Sequence, residues 1–288
     1  MATKYAVMGD IHGNLEALEA VLKDMAAEKI DKIAILGDTV GYGPNPRECI
    51  EKAAEIADIF LIGNHEKELI SGDPGMTEET KEVLKWTKGQ LKGCAAWEKI
   101  INCAKQSNPA LASKDIDDKI FVHGSPLKPT DQYIWPAHEC QYLIYNDQID
   151  ERLQEFMNEF IREHGFCAHT HQPAVLTEYK NRKIFDPYKH ELKWNKRDTF
   201  IGPNTIFFVP EGNITLEGLA GKKMVINPGS VGQPRDGNPA ASYAIYDGNT
   251  VQFRRVPYDF KKTQEKIMAL PISERTKIYN AKRLEKGE

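Results

Sequence analysis

The sequence predicts an α/β protein in which two facing β-sheets are covered by helices. Three observations carry that expectation. Apolar runs alternate with amphipathic stretches near the N-terminus, short β-like runs follow one another after Pro173, and no apolar run approaches membrane-spanning length. Tyr5–Met8 reads as a strand, Leu15–Glu28 as an amphipathic helix and Lys32–Leu36 as a second strand. Pro46–Ala54 reads as a helix opened by proline, and Asp58–Leu61 as a third strand, so the chain starts β-α-β-α-β with a parallel sheet. Phe121-Val122 and Phe166-Cys167 are later strand ends. The hairpin region comprises Ala174–Tyr179, Thr205–Val209, Asn213–Glu217, Lys223–Ile226, Ser242–Tyr246 and Thr250–Val256, with turn signals at Gly212-Asn213 and Asp247-Gly248-Asn249.

Composition bounds the chain further. Its 288 residues can bury a large core. A net charge of −4 gives no nucleic-acid signature. Cysteines at 49, 94, 103, 140 and 167 are odd in number and form no close pairing pattern, as expected of reduced thiols. A strand beginning at Tyr5 leaves no room for a signal peptide, so a soluble cytoplasmic protein is expected.

Five segments carry chemistry: Gly9-Asp10-Ile11-His12-Gly13, Gly37-Asp38, Gly63-Asn64-His65-Glu66, Val122-His123-Gly124 and Ala168-His169-Thr170-His171. Each sets Asp, Asn or His beside a small residue directly after an apolar run, which spells out a binuclear metal site. Imidazole, carboxylate and amide oxygen suit manganese, iron, nickel or zinc, and suit calcium poorly. No cysteine stands in the segments, which argues against a closed structural zinc knot. Asp10 and His12 lie two residues apart, so an extended strand end would point both side chains the same way. Gly13 permits a tight turn, and Asn14 can cap the helix from Leu15. Asp38 has two oxygens and can bridge two cations. The alternation of His169 and His171 lets one serve each metal.

In this order the segments resemble the calcineurin-like metallophosphoesterase superfamily. Val40–Pro46 and Asn227–Asp236 resemble its small bacterial and archaeal phosphodiesterase branch, and the resemblance spans roughly Lys4 to Pro257. It implies a four-layer αββα sandwich of two mixed β-sheets flanked by helices. It also implies that Asp10, His12, Asp38 and His171 hold one divalent metal ion, while Asp38, Asn64, His123 and His169 hold the other. His65 would approach the substrate as general acid. Two cations about 3.5–4 Å apart can neutralise a phosphate's oxygens and acidify a water. Catalytic roles are thus expected for His65, Asn64 and Asp38.

The departures from the family pattern matter as much. Many relatives carry Asp and Arg shortly after the second motif, where this chain has Gly41 and Tyr42. The usual carboxylate partner of His65 and a phosphate clamp are both missing there. Arg235, in a Gly- and Pro-rich loop, is the expected replacement cation, with Tyr42 and Asn45 as further substrate-binding candidates. Asp236 either pairs with Arg235 or ends a turn. Ala168 stands where relatives usually have Gly.

The expectation is one metallophosphoesterase domain over 1–288, with a helical insert at about 77–105, a hairpin extension at about 180–204 and C-terminal helices at about 260–285. The insert, with Trp86 and Trp97, closes one side of the sheet as a helical pair or caps the leaving-group site. Of the aromatics Tyr133, Trp135, Tyr142 and Tyr145, core packing is the commoner fate, and Tyr133 or Trp135 is the better candidate to stack on substrate. Lys180–Asp198, with seven basic and three acidic residues, attracts an anion or is a solvated hairpin. His138, His164 and His190 fit no motif and read as packing or surface residues. The function expected first is a phosphodiesterase acting on a small nucleotide-like ester, with no membrane partner and with homo-oligomerisation left open. The alternatives are a dinucleoside polyphosphate hydrolase, a protein phosphatase and an inactive scaffold for protein partners. Loss of the clamp disfavours the protein phosphatase, and retention of His65 and the ligands disfavours the scaffold.

Overall fold

Tyr5 and Val7 point to one side of strand β1 (Tyr5–Met8), Ala6 and Met8 point to the other, and all four are buried. A strand buried on both faces needs a layer on each side of it. The computed structural model has this arrangement; it describes residues 2–72, 76–105, 111–133, 149–185 and 200–288. Helices α1 (Leu15–Met25) and α2 (Pro46–Ile56) connect β1 to the parallel strands β2 (Lys32–Ile35) and β3 (Ile59–Phe60). On the other edge, β12 (Ala241–Tyr246), β13 (Thr250–Val256) and β10 (Ile214–Glu217) add antiparallel, which completes a six-stranded sheet. The facing seven-stranded sheet has the order β4 (Ser113–Ile116), β5 (Lys119–Val122), β6 (His164–Phe166), β11 (Met224–Pro228), β7 (Pro173–Glu178), β9 (Thr205–Phe208) and β8 (Phe200–Ile201).

Val7, Leu36, Phe121, Phe166, Ile226 and Phe253 fill the space between the sheets. Leu18 and Val21 of α1 cover the outer face of the first sheet against Ile35 and Ile245. Helix α6 (Ile149–Glu159) covers the second through Leu153 and Phe156, against Val122, Leu176 and Phe207. Both sheets are mixed, and the four layers are those the resemblance implies. Helices α3 (Asn64–Ser71), α4 (Glu78–Gln90) and α5 (Ala95–Lys105) pack around α2, and α7 (Phe260–Met268) pairs with α8 (Glu274–Lys286) over α1 and α4.

Several sequence expectations need correction. Helix α1 ends at Met25, the last side chain of its apolar stripe to reach the core. The 77–105 segment is two helices separated around Gly93, which has a left-handed φ of 71°, so the helical-pair reading describes its structure. Strands β9 and β10 belong to different sheets, so the Gly212-Asn213 turn carries the chain between layers and makes no hairpin. Asp247-Gly248-Asn249 does close one, with Asp247 Oδ1 accepting the Thr250 N–H at 2.7 Å. Of the hairpin extension expected at about 180–204, Tyr179–Phe185 form a 3₁₀ helix, β8 pairs antiparallel with β9, and residues 186–199 lie outside the described residues. Helix α6 and strand β4 have no counterpart in the sequence reading. Trp135, His138, Cys140, Tyr142, Tyr145, His190 and the rest of the basic run from 186 lie outside the described residues. Among the described residues no helix is long and apolar enough to cross a membrane.

Candidate metal centre

The motif residues sit just beyond the strand ends, in an uncommon backbone conformation. Asp10, His12, Asp38, His169 and His171 all have left-handed φ values, of 51°, 50°, 50°, 69° and 60°. Such positions cost about 1–3 kcal/mol each and persist only where the surroundings impose them. Here hydrogen bonds between loops do so: Asp10 N–H to Gly37 O at 3.0 Å, His12 N–H to Asp38 O at 2.9 Å and Gly13 N–H to Thr39 O at 2.9 Å. The expectation that Asp10 and His12 share a face holds, but a left-handed loop produces it where extended geometry was the predicted cause. Asn14 caps α1 as expected, its Oδ1 accepting Ala17 N–H at 3.1 Å. Gly63 is required sterically, since a Cβ there would lie 2.1 Å from Asp38 Oδ1.

Two groups of ligand atoms result. Asp10, His12, Asp38 and His171 form one, and Asp38, His123 and His169 the other, all buried. Asn64 joins the second, its Oδ1 3.2 Å from His123 Nε2. Asp38 Oδ2 lies 3.6 Å from His12 Nε2 and 3.5 Å from His123 Nε2, which makes it the shared carboxylate. The imidazole tautomers follow from their other nitrogens. His12 Nδ1–H donates to Val40 O at 3.2 Å, His123 Nδ1–H to Leu36 O at 2.9 Å and His171 Nδ1–H to Gln233 O at 2.6 Å. Each Nε2 therefore turns a lone pair into the site.

That arrangement fits cations. His12 Nε2 faces His171 Nε2 at 3.0 Å, and His123 Nε2 faces His169 Nδ1 at 3.0 Å. Two lone pairs at that distance repel unless a positive centre lies between them. Asp10 Oδ1 is buried with no hydrogen-bond partner, 3.5 Å from His171 Nε2. Burial, aided by the charge of Asp131 and opposed by the His65 N–H and Arg235, pushes Asp38 up to about 7, and burial together with the Asp38 charge pushes Asp10 well above the usual carboxylate range. Burial pushes His123 down to about 4 and holds His12, His169 and His171 well below the ordinary imidazole value. Divalent cations stabilise carboxylate and neutral imidazole together, the forms a coordinated site uses.

His65 lies against this centre, with Nε2 4.0 Å from Asp38 Oδ2. Its Nδ1 is buried without a partner and faces Gly41, where a Cβ would come within 2.0 Å of it. Among the described residues no carboxylate thus takes the missing place, and the backbone of Gly41 packs there. The Tyr42 ring rests on the rings of His12 and His65, each 4.6 Å away. Arg235 stands over Tyr42 with Cζ 5.9 Å from the ring centre, while its main-chain N–H donates to His171 O at 3.1 Å. Asn45 sits behind Gly13, and its amide is held by Glu48 and Lys266 at 3.0 Å each. Asp236 pairs with Arg255, a partner other than the expected Arg235. Tyr133 stacks on His169 at 3.8 Å and is 44% exposed, so the core reading fails for this residue. His164 is a packing histidine that bridges the sheets, with Nδ1 2.5 Å from Tyr246 Oη and Nε2 3.3 Å from Leu219 O.

Sequence reasoning missed three supports of the centre. Glu66 is fully buried, and its carboxylate accepts the N–H groups of Gly63 (2.8 Å), Asp38 (2.9 Å) and Val40 (3.1 Å). Its position three residues after Gly63, the N-cap of α3, is the available signal, being the acidic half of a capping box. Ser230 Oγ donates to Asp10 O at 2.8 Å, and Gln233 supplies the carbonyl that orients His171. Both lie in the Asn227–Asp236 segment, which the sequence marks without assigning them roles.

Fold and site together define a metal-dependent hydrolase. Comparison with known proteins places it more closely. Residues 3–191 match the family model of the calcineurin-like phosphoesterases. An uncharacterised protein of Methanocaldococcus jannaschii is 34% identical over 271 residues, which is 91% of each chain. A metallophosphoesterase from Sphaerobacter thermophilus is 31% identical with a TM-score of 0.73, each chain covered over 100% of its length. A hypothetical protein from Pyrococcus horikoshii has the same fold, with a TM-score of 0.65 at 22% identity over 99% of each chain. The chain belongs to the calcineurin-like phosphoesterases, whose members use divalent metal ions to hydrolyse phosphate esters.

Proposed function

We propose that this chain is a two-cation phosphodiesterase acting on a small nucleotide-like phosphate ester. The observation that carries the reading is Asp38, a buried carboxylate within 3.6 Å of an imidazole nitrogen of each ligand group. Asp10, His12, Asp38 and His171 would hold one ion, and Asp38, Asn64, His123 and His169 the other. The donor set suits manganese, iron, nickel or zinc. Bound there, such ions supply positive charge for the phosphate oxygens and an acidified water.

The chain's own residues supply the rest. His65 stands beside the shared carboxylate and is placed to pass a proton to the leaving alkoxide. Burial, Arg235 and His123 push its pKa down to about 3, so the imidazole rests neutral and takes up its proton under the influence of the bound anion. Asn64 turns its carbonyl oxygen to the metal centre, which leaves its amide N–H groups to donate to a phosphate oxygen. Arg235 adds a cation at the mouth. Tyr42 and the half-exposed Tyr133 offer ring faces to a leaving group with a planar base, which supports a diester of nucleotide type. The described cysteines, Cys49, Cys94, Cys103 and Cys167, are free thiols, which supports a cytoplasmic setting.

The test is hydrolysis of bis-p-nitrophenyl phosphate beside p-nitrophenyl phosphate, with metal-stripped protein before and after Mn²⁺ is added. Metal-dependent turnover favouring the diester is expected, and Asp38→Ala should lose both activity and metal. Silence on both esters with two metals bound would overturn the reading and favour a scaffold.

A further inference from the structure

Helix α8 lies beyond the residues that match the family model, yet it reaches the metal centre. Its Asn280 is 1% exposed, with neither amide atom hydrogen-bonded, and it lines a small cavity together with His12, Tyr42 and Gln233. One turn on, Arg283 places Cζ 5.9 Å from the centre of the Tyr42 ring, the same distance as Arg235. The end of the helix is tied to the Arg235 loop, with Gly237 N–H donating to Gly287 O at 2.9 Å.

Among the described residues no Asp or Glu side chain pairs with either guanidinium. Arg283 donates to Tyr279 Oη at 2.9 Å and to Glu288 O at 2.8 Å. Arg235 donates to Gln233 Oε1 at 3.0 Å, and its Nε is buried without a partner. Burial and the neighbouring Arg235 charge hold the Arg283 guanidinium below its ordinary pKa. Two like charges around one ring repel each other until an anion joins them. Tyr42 in turn lies on His12 and His65, so the two guanidinium groups flank a ring that abuts the metal centre.

We propose that Arg283 is a substrate-binding residue that forms, with Arg235, a two-guanidinium seat over Tyr42 for the oxyanion of the phosphate ester. The proposal rests on the phosphoesterase reading of the metal centre. A guanidinium fork matches phosphate oxygens in geometry as well as charge. Arg283 thereby restores, from a helix distant in sequence, a cation missing from the stretch after Asp38.

The test compares Arg283→Met and Arg283→Lys with the wild-type metal-loaded enzyme. Two readouts are used: calorimetric titration with inorganic phosphate, and KM for dianionic p-nitrophenyl phosphate and monoanionic bis-p-nitrophenyl phosphate. Arg283→Met should weaken phosphate binding about tenfold, equivalent to about 1.4 kcal/mol. Its KM should rise more for the dianion than for the diester, with metal content unchanged and Arg283→Lys recovering part of the loss. A purely structural role for the helix would lower Tm and affect both esters equally, and that outcome overturns the proposal. Unchanged phosphate affinity in Arg283→Met also overturns it, while the phosphoesterase reading stands. If the wild type hydrolyses neither ester, the functional reading fails and the phosphate titration still decides the role of Arg283.

Discussion

Replacing Glu66 by Gln probes the strut that fixes the shared carboxylate. Burial and the charge of Asp38 push the Glu66 carboxyl up to about 7, against the pull of the N–H groups of Gly63 and Val40. The geometry favours the ionised form. Oε2 accepts from Gly63 and Asp38 while Oε1 accepts from Val40, three N–H donors that bind a carboxylate more strongly than a protonated acid. In Glu66→Gln the amide oxygen can keep two of these partners, and the NH₂ group then opposes the remaining backbone N–H. Losing one hydrogen bond to a charged group costs about 1.5–3 kcal/mol, and the surviving two weaken to neutral strength. A total near 3–4 kcal/mol corresponds to a fall in Tm of about 10 °C for a chain of this size. Because Glu66 also holds the main chain of Asp38, metal affinity should fall about 10–100-fold. Thermal melting with and without Mn²⁺, together with metal content per chain, measures both effects. An unchanged Tm and full metal content would refute the argument, because they would mean that a protonated Glu66 is mimicked by Gln.

Three further outcomes follow from the same geometry. His65→Ala should keep its metals and slow hydrolysis of poor leaving groups by about 10²–10⁴. Esters of p-nitrophenol should suffer far less, and full activity on an alkyl ester would remove the acid role. Gly41→Ala should mimic that loss, since its Cβ would fall 2.0 Å from His65 Nδ1 at a left-handed φ of 96°; unchanged kinetics on the alkyl ester would show that His65 tolerates displacement. Burial holds His164 below its ordinary 6.5, so its neutral form favours the native state. That stability is fully present above pH 6.5 and is lost as the pH falls towards the lower folded-state pKa. Denaturant melts of His164→Gln between pH 7 and pH 5 should show a shallower loss than wild type, and equal slopes would exclude the linkage.

The candidate ligand set is legible in sequence because metal binding and backbone geometry ask for the same residues. A left-handed position favours Gly, Asn, Asp or His, and Asp and His are also good metal ligands, so each such turn leaves a local motif. Strands β1 and β2 are legible for a similar reason, since each is a short apolar run bounded by these turns. The assignment of β9 and β10 to different sheets is not, because both sheets have the same period and only tertiary packing decides which edge each strand joins. Contacts that depend on distant segments meeting leave no local trace either. Asp236 pairs with Arg255 and not with its neighbour Arg235, because β13 runs past that loop. Glu66 sits beside His65 in the chain, yet its carboxylate serves the turn after β2. Arg283 is the extreme case, a cation on the C-terminal helix brought over Tyr42 by the packing of α8 on the Arg235 loop. Family motifs can therefore identify the metal chemistry while saying little about the ester. In this chain the residues that distinguish one phosphate ester from another should be sought where α8 and the Arg235 loop close over the Tyr42 ring.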